Sequence, residues 1–297
     1  MLLFKVVLPV FLIFLSGYAG QKMLQLDIKS VSTTALYLMT PPLVFRSFYE
    51  NKIDSTYLYI VIYGVALSVI IIWLIKGFSR LLGYNDSVTG GLILSTAFMN
   101  NGNLGAPLIL LAFGQKAFQY AVAIMVLHAI VMSTLGVYYA ARGKSDVRQA
   151  LLSVVKMPIV HAVFVGLLWQ YLHLPMPQNI YTAIGMVADA SIPTIMLVLG
   201  MQLAEIKLIN LEWSKISLAL ITRLLVSPVI AYIITLALPV NPLLGKVMII
   251  EAAMPTAAIT TMYALQFDCS PELVSSITFI GTVLSMGTLS VLLTFIG

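Results

Sequence analysis

Ten apolar runs, each close to the ~20 residues a helix needs to cross a bilayer, constrain this chain more than any other feature. They fall at about 2–20, 28–48, 56–78, 87–113, 117–140, 155–172, 179–204, 214–238, 243–267 and 272–296 of its 297 residues, with short connectors between them. Soluble domains carry about 25% charged residues because their surface faces water. Here the charged fraction is 9%, against 60% hydrophobic residues and a mean hydropathy of +1.02. Such a chain cannot cover a soluble surface of its own size. The predicted fold class is an all-α polytopic membrane protein with ten transmembrane helices.

The net charge of +5 and pI of 9.2 raise the question of nucleic acid. The basic residues sit in short connectors, with no stripe and no aromatic interleaving, so no nucleic acid is expected. The single Cys269 excludes an intramolecular disulfide framework and a Cys-based metal cluster. No G-x-S-x-G, H-E-x-x-H or P-loop motif occurs, so the chain is not expected to be an enzyme or a primary pump, and no cofactor or metal is implied. Met1 to Gly20 has Lys5, an apolar run and small residues near its end, as a signal peptide has. The repeat described next makes it a required helix instead.

Landmarks recur between the two halves. Leu8-Pro9-Val10 matches Met157-Pro158-Ile159 and Gly17 matches Gly166, both 149 residues on. Pro42 finds Pro193 at 151, and Phe113 finds Phe267 at 154. A slowly drifting offset is what two diverged halves with small loop changes produce. The expected organisation is a five-helix repeat over 1–140, a cytoplasmic connector over 141–156, and a second repeat over 157–297. Five is odd, so the second half enters the membrane from the opposite side, an inverted plan common in secondary transporters. With the N-terminus outside, ten Lys and Arg (Lys76, Arg80, Arg142, Lys144, Arg148 and Lys156 among them) face the cytoplasm, and five (Lys5, Arg46, Lys52, Lys116 and Lys246) face out. The positive-inside rule then puts both termini outside a plasma or inner membrane.

Two spans contain breaks. Segment four carries Met99-Asn100-Asn101-Gly102-Asn103-Leu104-Gly105-Ala106-Pro107, with three Asn, two Gly and a Pro. Backbone groups freed there find no partner in hydrocarbon, so the break must be buried in protein or line a watery cavity. The alternative is a kinked helix whose Asn side chains bond to neighbouring helices. Segment nine breaks at Glu251-Ala252-Ala253-Met254-Pro255-Thr256-Ala257, and the 154 offset sets Pro255 opposite Asn101. Paired breaks at matching places point to a transport site. Half-helix N-termini there favour an anionic ligand, with Asn100, Asn101, Gly102, Asn103, Met254, Pro255 and Thr256 as the candidate substrate-binding residues.

Asn100-Asn101-Gly102-Asn103-Leu104-Gly105-Ala106-Pro107-Leu108 with Phe113-Gly114 resembles the auxin efflux carrier family. So do Ala253-Met254-Pro255-Thr256-Ala257, Asp189-Ala190 with Leu199-Gly200, and Arg223-Leu224 with Pro228. The resemblance spans essentially the whole chain. It implies ten helices in two inverted repeats, helices four and nine broken and crossed, and movement of organic anions, auxin in plants and malate or malonate in bacteria. The long central loop of plant members is missing, as in short prokaryotic ones. Ile259 departs from the Asn many members carry after the proline, which argues against a site role there. The closest rival is a sodium-coupled symporter like those for bile acids; a channel or receptor leaves the paired breaks unaccounted for.

Asp189 and Glu251 are the candidate coupling-ion or proton residues, because intramembrane carboxylates are rare and commonly functional. For Asp189 the alternative is a neutral acid joining helices, and for Glu251 a solvated position near the membrane surface. Arg223 is expected to snorkel or pair with an acid, and His128 and His161 to bond between helices. Gly281 and Ser285 suit close helix packing. The implied partners are a small organic anion, a coupling proton or sodium ion, and the lipid bilayer; a homodimer is compatible with the sequence.

Overall fold

In a computed structural model of the chain, the described residues are 6–51, 54–141, 152, 154–208 and 210–296. Among them every regular element is helical. Helix α1 (Leu8–Leu24) opens with Pro9 in its first turn, where a missing N–H costs nothing. Helix α2 runs through Ile28–Thr33, a widened i→i+5 turn Thr34–Met39, and Thr40–Glu50. The widening lies just before Pro41 and Pro42, which remove two donors from the ladder. Helix α3 (Ser55–Leu81) is capped by Asp54, whose carboxylate accepts the Thr56 N–H at 2.8 Å. The Thr56 side chain and N–H together hold that carboxyl below its usual range.

Helix α4 (Asp86–Ala97) stops mid-span, and a widened turn Asn101–Gly105 leads into α5 (Ala106–Val131), which continues through Met132–Gly136 and Val137–Ala140. A straight rod of that length would be about twice the bilayer thickness. Gly114 breaks it, at φ 77°, a conformation L side chains rarely adopt. The break falls one residue after Phe113, where segment four was expected to close. Then come α6 (Pro158–Tyr171), α7 (Gln178–Glu205), and α8, formed by Trp213–Ile221, Thr222–Val226 and Ser227–Ala237. Helices α9 (Pro242–Ala252) and α10 (Ile259–Gln266) flank the second break, and α11 (Pro271–Ile296) ends the chain.

Among the described residues, Ser55–Leu81, Asn101–Ala140, Gln178–Glu205, Trp213–Ala237 and Pro271–Ile296 are long and apolar enough to cross a membrane, while α1 and α6 are shorter apolar helices. The connector expected over 141–156 lies largely outside the described residues, as do Lys5, Lys52, Arg142, Lys144 and Arg148 of the charge count.

The exterior is apolar and the interior partly polar. Trp73, Leu81, Met186 and Phe295 project mostly exposed, whereas Asn100, Asn101, His128, Arg223, Glu251 and Thr256 are buried. Hydrocarbon as the outer solvent accounts for that inversion, since patches of this extent are rare on monomeric soluble proteins. Glycines bring helices together. A Cβ on Gly17 of α1 would lie 2.2 Å from the Leu197 carbonyl oxygen of α7, and one on Gly200 would lie 2.0 Å from that of Phe14. On the other flank, a Cβ on Gly166 of α6 would lie 2.9 Å from the Phe45 carbonyl oxygen of α2. Backbones this close make van der Waals contact that larger residues forbid.

Candidate functional site at the meeting of two broken helices

The two breaks lie against each other. After α4 the chain is extended at Phe98 (φ −116°, ψ 109°) and meets the segment after α9 as a single antiparallel bridge, Met99 with Thr256. The Asn100 N–H donates to the Pro255 carbonyl at 2.8 Å, and the Ala257 N–H to the Phe98 carbonyl at 3.0 Å. Segment four is therefore unwound, not merely kinked. Pro255 helps end α9, because its ring removes a donor and disfavours helix at the residue before it.

Side chains from distant helices satisfy the remaining freed groups. His128 of α5 accepts the Met99 N–H at Nε2, 3.0 Å away, so its ring is neutral with the proton on Nδ1. The Thr256 hydroxyl donates to the Ser95 carbonyl at 2.6 Å. Arg223 of α8 donates to the Thr96 carbonyl at 2.6 Å and also to the Ala252 carbonyl and the Ser227 hydroxyl. Thr96 lies in the last turn of α4 and Ala252 closes α9. One guanidinium thus caps the carbonyl ends of both interrupted helices, where partial negative charge accumulates. The expectation for Arg223 was wrong on both counts. It is fully buried, so it does not snorkel, and among the described residues it forms no ion pair. Two helix ends supply the negative charge an acid was expected to bring.

The predicted substrate residues are brought together here, but most of their polar groups are already engaged. Asn100 caps the turn: its side-chain oxygen accepts the Asn103 N–H at 3.2 Å, and its carbonyl accepts from Leu104 and Gly105. The N–H groups of Asn103, Leu104 and Gly105, expected to face a ligand, are therefore held internally. Three groups remain without a partner although buried: the Asn100 Nδ2 and both polar atoms of the Asn101 amide. Gly102 is half-buried, with Met125 Sδ 3.3 Å from where a Cβ would stand. Met254 and Pro255 are buried in the bridge region.

The two candidate carboxyl groups part company. Glu251 is fully buried beside the first break, so the solvated alternative is excluded. A Cβ on Gly105 would lie 2.2 Å from its Oε2, so a side chain there would have to displace the carboxyl group. Asp189 of α7 instead has its side chain 71% exposed and paired with Arg46 of α2 at 2.7 Å. Sequence reasoning missed Gly105 as the residue that makes room for Glu251. It noted Arg223 near Pro228 but not the two helix ends it joins. His128 bonds between helices, as expected; His161 is exposed and, among the described residues, bonds to its own turn at the Met157 carbonyl rather than to another helix.

Recesses open at opposite ends of α3. One of about 220 Å³ is lined by Lys76, Asp86, Thr89 and Tyr138. The other, about 100 Å³, is lined by Asn51, Tyr57, Lys116 and Tyr120. The meeting point of the breaks is closed in this conformation.

A family profile described as membrane transport protein matches residues 2–293. The chain is 27% identical over 295 residues to an uncharacterized transporter of Methanothermobacter thermautotrophicus, covering 96% of this chain and 95% of that protein. It is also 27% identical over 298 residues to an uncharacterized transporter of Methanocaldococcus jannaschii, covering 95% and 94%. Auxin efflux carrier component 3 of Arabidopsis thaliana matches at 25% over 137 residues, 44% of this chain and 21% of that longer protein.

Proposed function

The chain belongs to the auxin efflux carrier family of membrane transport proteins, and on that premise we propose that it is a secondary transporter of small organic anions. The observation that carries the reading is the antiparallel meeting of the two breaks, with the unsatisfied amides of Asn100 and Asn101 buried beside it. Buried polar groups without partners are rare in stable interiors, and a carboxylate reaching them would supply acceptors for both amides. Gly102, Asn103, Met254, Pro255 and Thr256 complete the site. The carboxylic acid auxin, named for the plant relatives, fits the same chemistry.

The proposed architecture is ten transmembrane helices in two inverted five-helix halves, over 1–140 and 157–297, joined by a cytoplasmic connector with both termini outside the cell membrane. Swapped packing supports it. Gly17 of α1 meets Leu197 of α7, and its repeat counterpart Gly166 of α6 meets Phe45 of α2. Thr40 and Ser191, 151 residues apart like Pro42 and Pro193, approach each other at 3.4 Å, as residues beside a two-fold axis do. The two recesses then lie on opposite sides of the membrane with a closed crossing between them, as alternating access requires. Coupling by a proton or sodium ion is assigned to Glu251 or Asp189.

The test is a panel of mono- and dicarboxylates on the purified protein, read as thermal stabilisation and then as saturable uptake into liposomes, with and without sodium. A carboxylate that stabilises the wild type and fails to stabilise Asn101→Ala is the expected result. Equal stabilisation of both proteins places the site elsewhere.

A further inference from the structure

Glu251 differs from every other glutamate of the chain. Glu50 accepts from the Tyr181 hydroxyl, Glu205 from Gln21, Glu212 from Lys215 and Glu272 from Asn210. Glu251 has neither oxygen bonded and no exposure. An ionised carboxylate removed from water without donor or counter-ion carries a cost of several kcal/mol or more, whereas the neutral acid does not carry that charge penalty.

The groups around it leave both of its oxygens without a bonded donor or counter-ion. Tyr63 of α3 gives its hydroxyl to the Met248 carbonyl. Arg223 of α8 turns its two Nη groups to Thr96, Ala252 and Ser227 and, among the described residues, forms no ion pair with any carboxylate. His128 of α5 is neutral and holds the Met99 N–H. The only acid of α11 is Glu272 in its first turn, bonded to Asn210, and the Asn101–Gly105 turn has no titratable side chain. That turn presses its backbone on the carboxyl at Gly105. No group of three or more His, Cys, Asp or Glu that could hold a metal ion occurs among the described residues.

We propose that Glu251 is the proton carrier of the crossing: it enters the closed conformation only as the neutral acid, so each passage through that conformation carries one proton. This rests on the transporter reading and deepens it. The carboxylate takes its proton from water when the crossing is open to one side. It returns the proton to water when the crossing opens to the other, with no other bond made or broken.

The test is infrared spectroscopy of the full chain in lipid, with carboxyl-labelled glutamate and no added anion, across the neutral pH range. A glutamate-specific carboxylic C=O band is expected, lost in Glu251→Gln, retained in Asp189→Asn, and indifferent to sodium. In deuterium oxide it should shift progressively as the crossing opens and exchanges its proton with solvent. The isotope label identifies a glutamate even where Glu251→Gln fails to fold. Absence of the band means the group is ionised and overturns the proposal. A band abolished by sodium marks a cation site, and one that never exchanges marks a static buried acid; either result also overturns it. No anion enters the measurement, so failure of the organic-anion reading leaves the band in place, and loss of the band leaves anion transport standing.

Discussion

Replacing Arg223 tests whether the crossing is held by one guanidinium. Arg223→Lys keeps a buried charge but loses the planar fork that reaches Thr96 and Ala252 together. At least one charge-assisted bond goes, at about 1.5–3 kcal/mol, and the ammonium remains desolvated. Arg223→Met keeps most of the volume and removes the charge. It leaves the Thr96 carbonyl orphaned at about 1–3 kcal/mol, while the Ala252 carbonyl keeps the Ser227 hydroxyl at 2.9 Å. Removing a desolvated charge offsets part of that loss. The expected order of stability is wild type, then Met, then Lys, which reverses the usual view of Lys as the conservative change. At roughly 2–4 °C per kcal/mol for a chain somewhat shorter than this one, Arg223→Lys should melt about 3–12 °C lower. Melting curves by size-exclusion in one detergent, at equal protein concentration, measure it. A Lys variant that melts with the wild type would show that the guanidinium does not hold the two helix ends.

Asn101→Ala should weaken binding of a confirmed carboxylate about tenfold, a loss of ~1.4 kcal/mol, and Gly102→Val should weaken it more, both measured by titration on folded protein. Gly105→Ala places a methyl group against Glu251, so it should destabilise alone but act less than additively with Glu251→Ala in a double-mutant cycle of melting temperatures. Gly200→Ala sets a Cβ 2.0 Å from the Phe14 carbonyl oxygen and should lower the yield of folded protein, as should Gly17→Ala. Asp189→Asn should cost no more than about 1 kcal/mol, because its own side of the pair with Arg46 is 71% exposed, and a melting curve checks it.

What the sequence by itself determined are properties local to a stretch of chain. Apolar runs of bilayer length settle membrane-type helices, because hydropathy sums over neighbours along the chain. Asn, Gly and Pro inside a run settle where a helix fails, because they act on their own backbone and the adjacent turn. Asn100 to Gly105 and Met254 to Thr256 were legible for that reason. The tertiary structure alone decided which group each freed one meets. Arg223 reaches Thr96 across 127 residues, and Thr256 reaches Ser95 across 161, distances over which no sequence period carries information. It also decided that Glu251 is buried while Asp189 stands mostly exposed. Both lie in helices that are apolar on nearly every side, so no polar stripe marks the inward face. Only the packing of neighbouring helices, through glycines such as Gly17, Gly105 and Gly200, selects it.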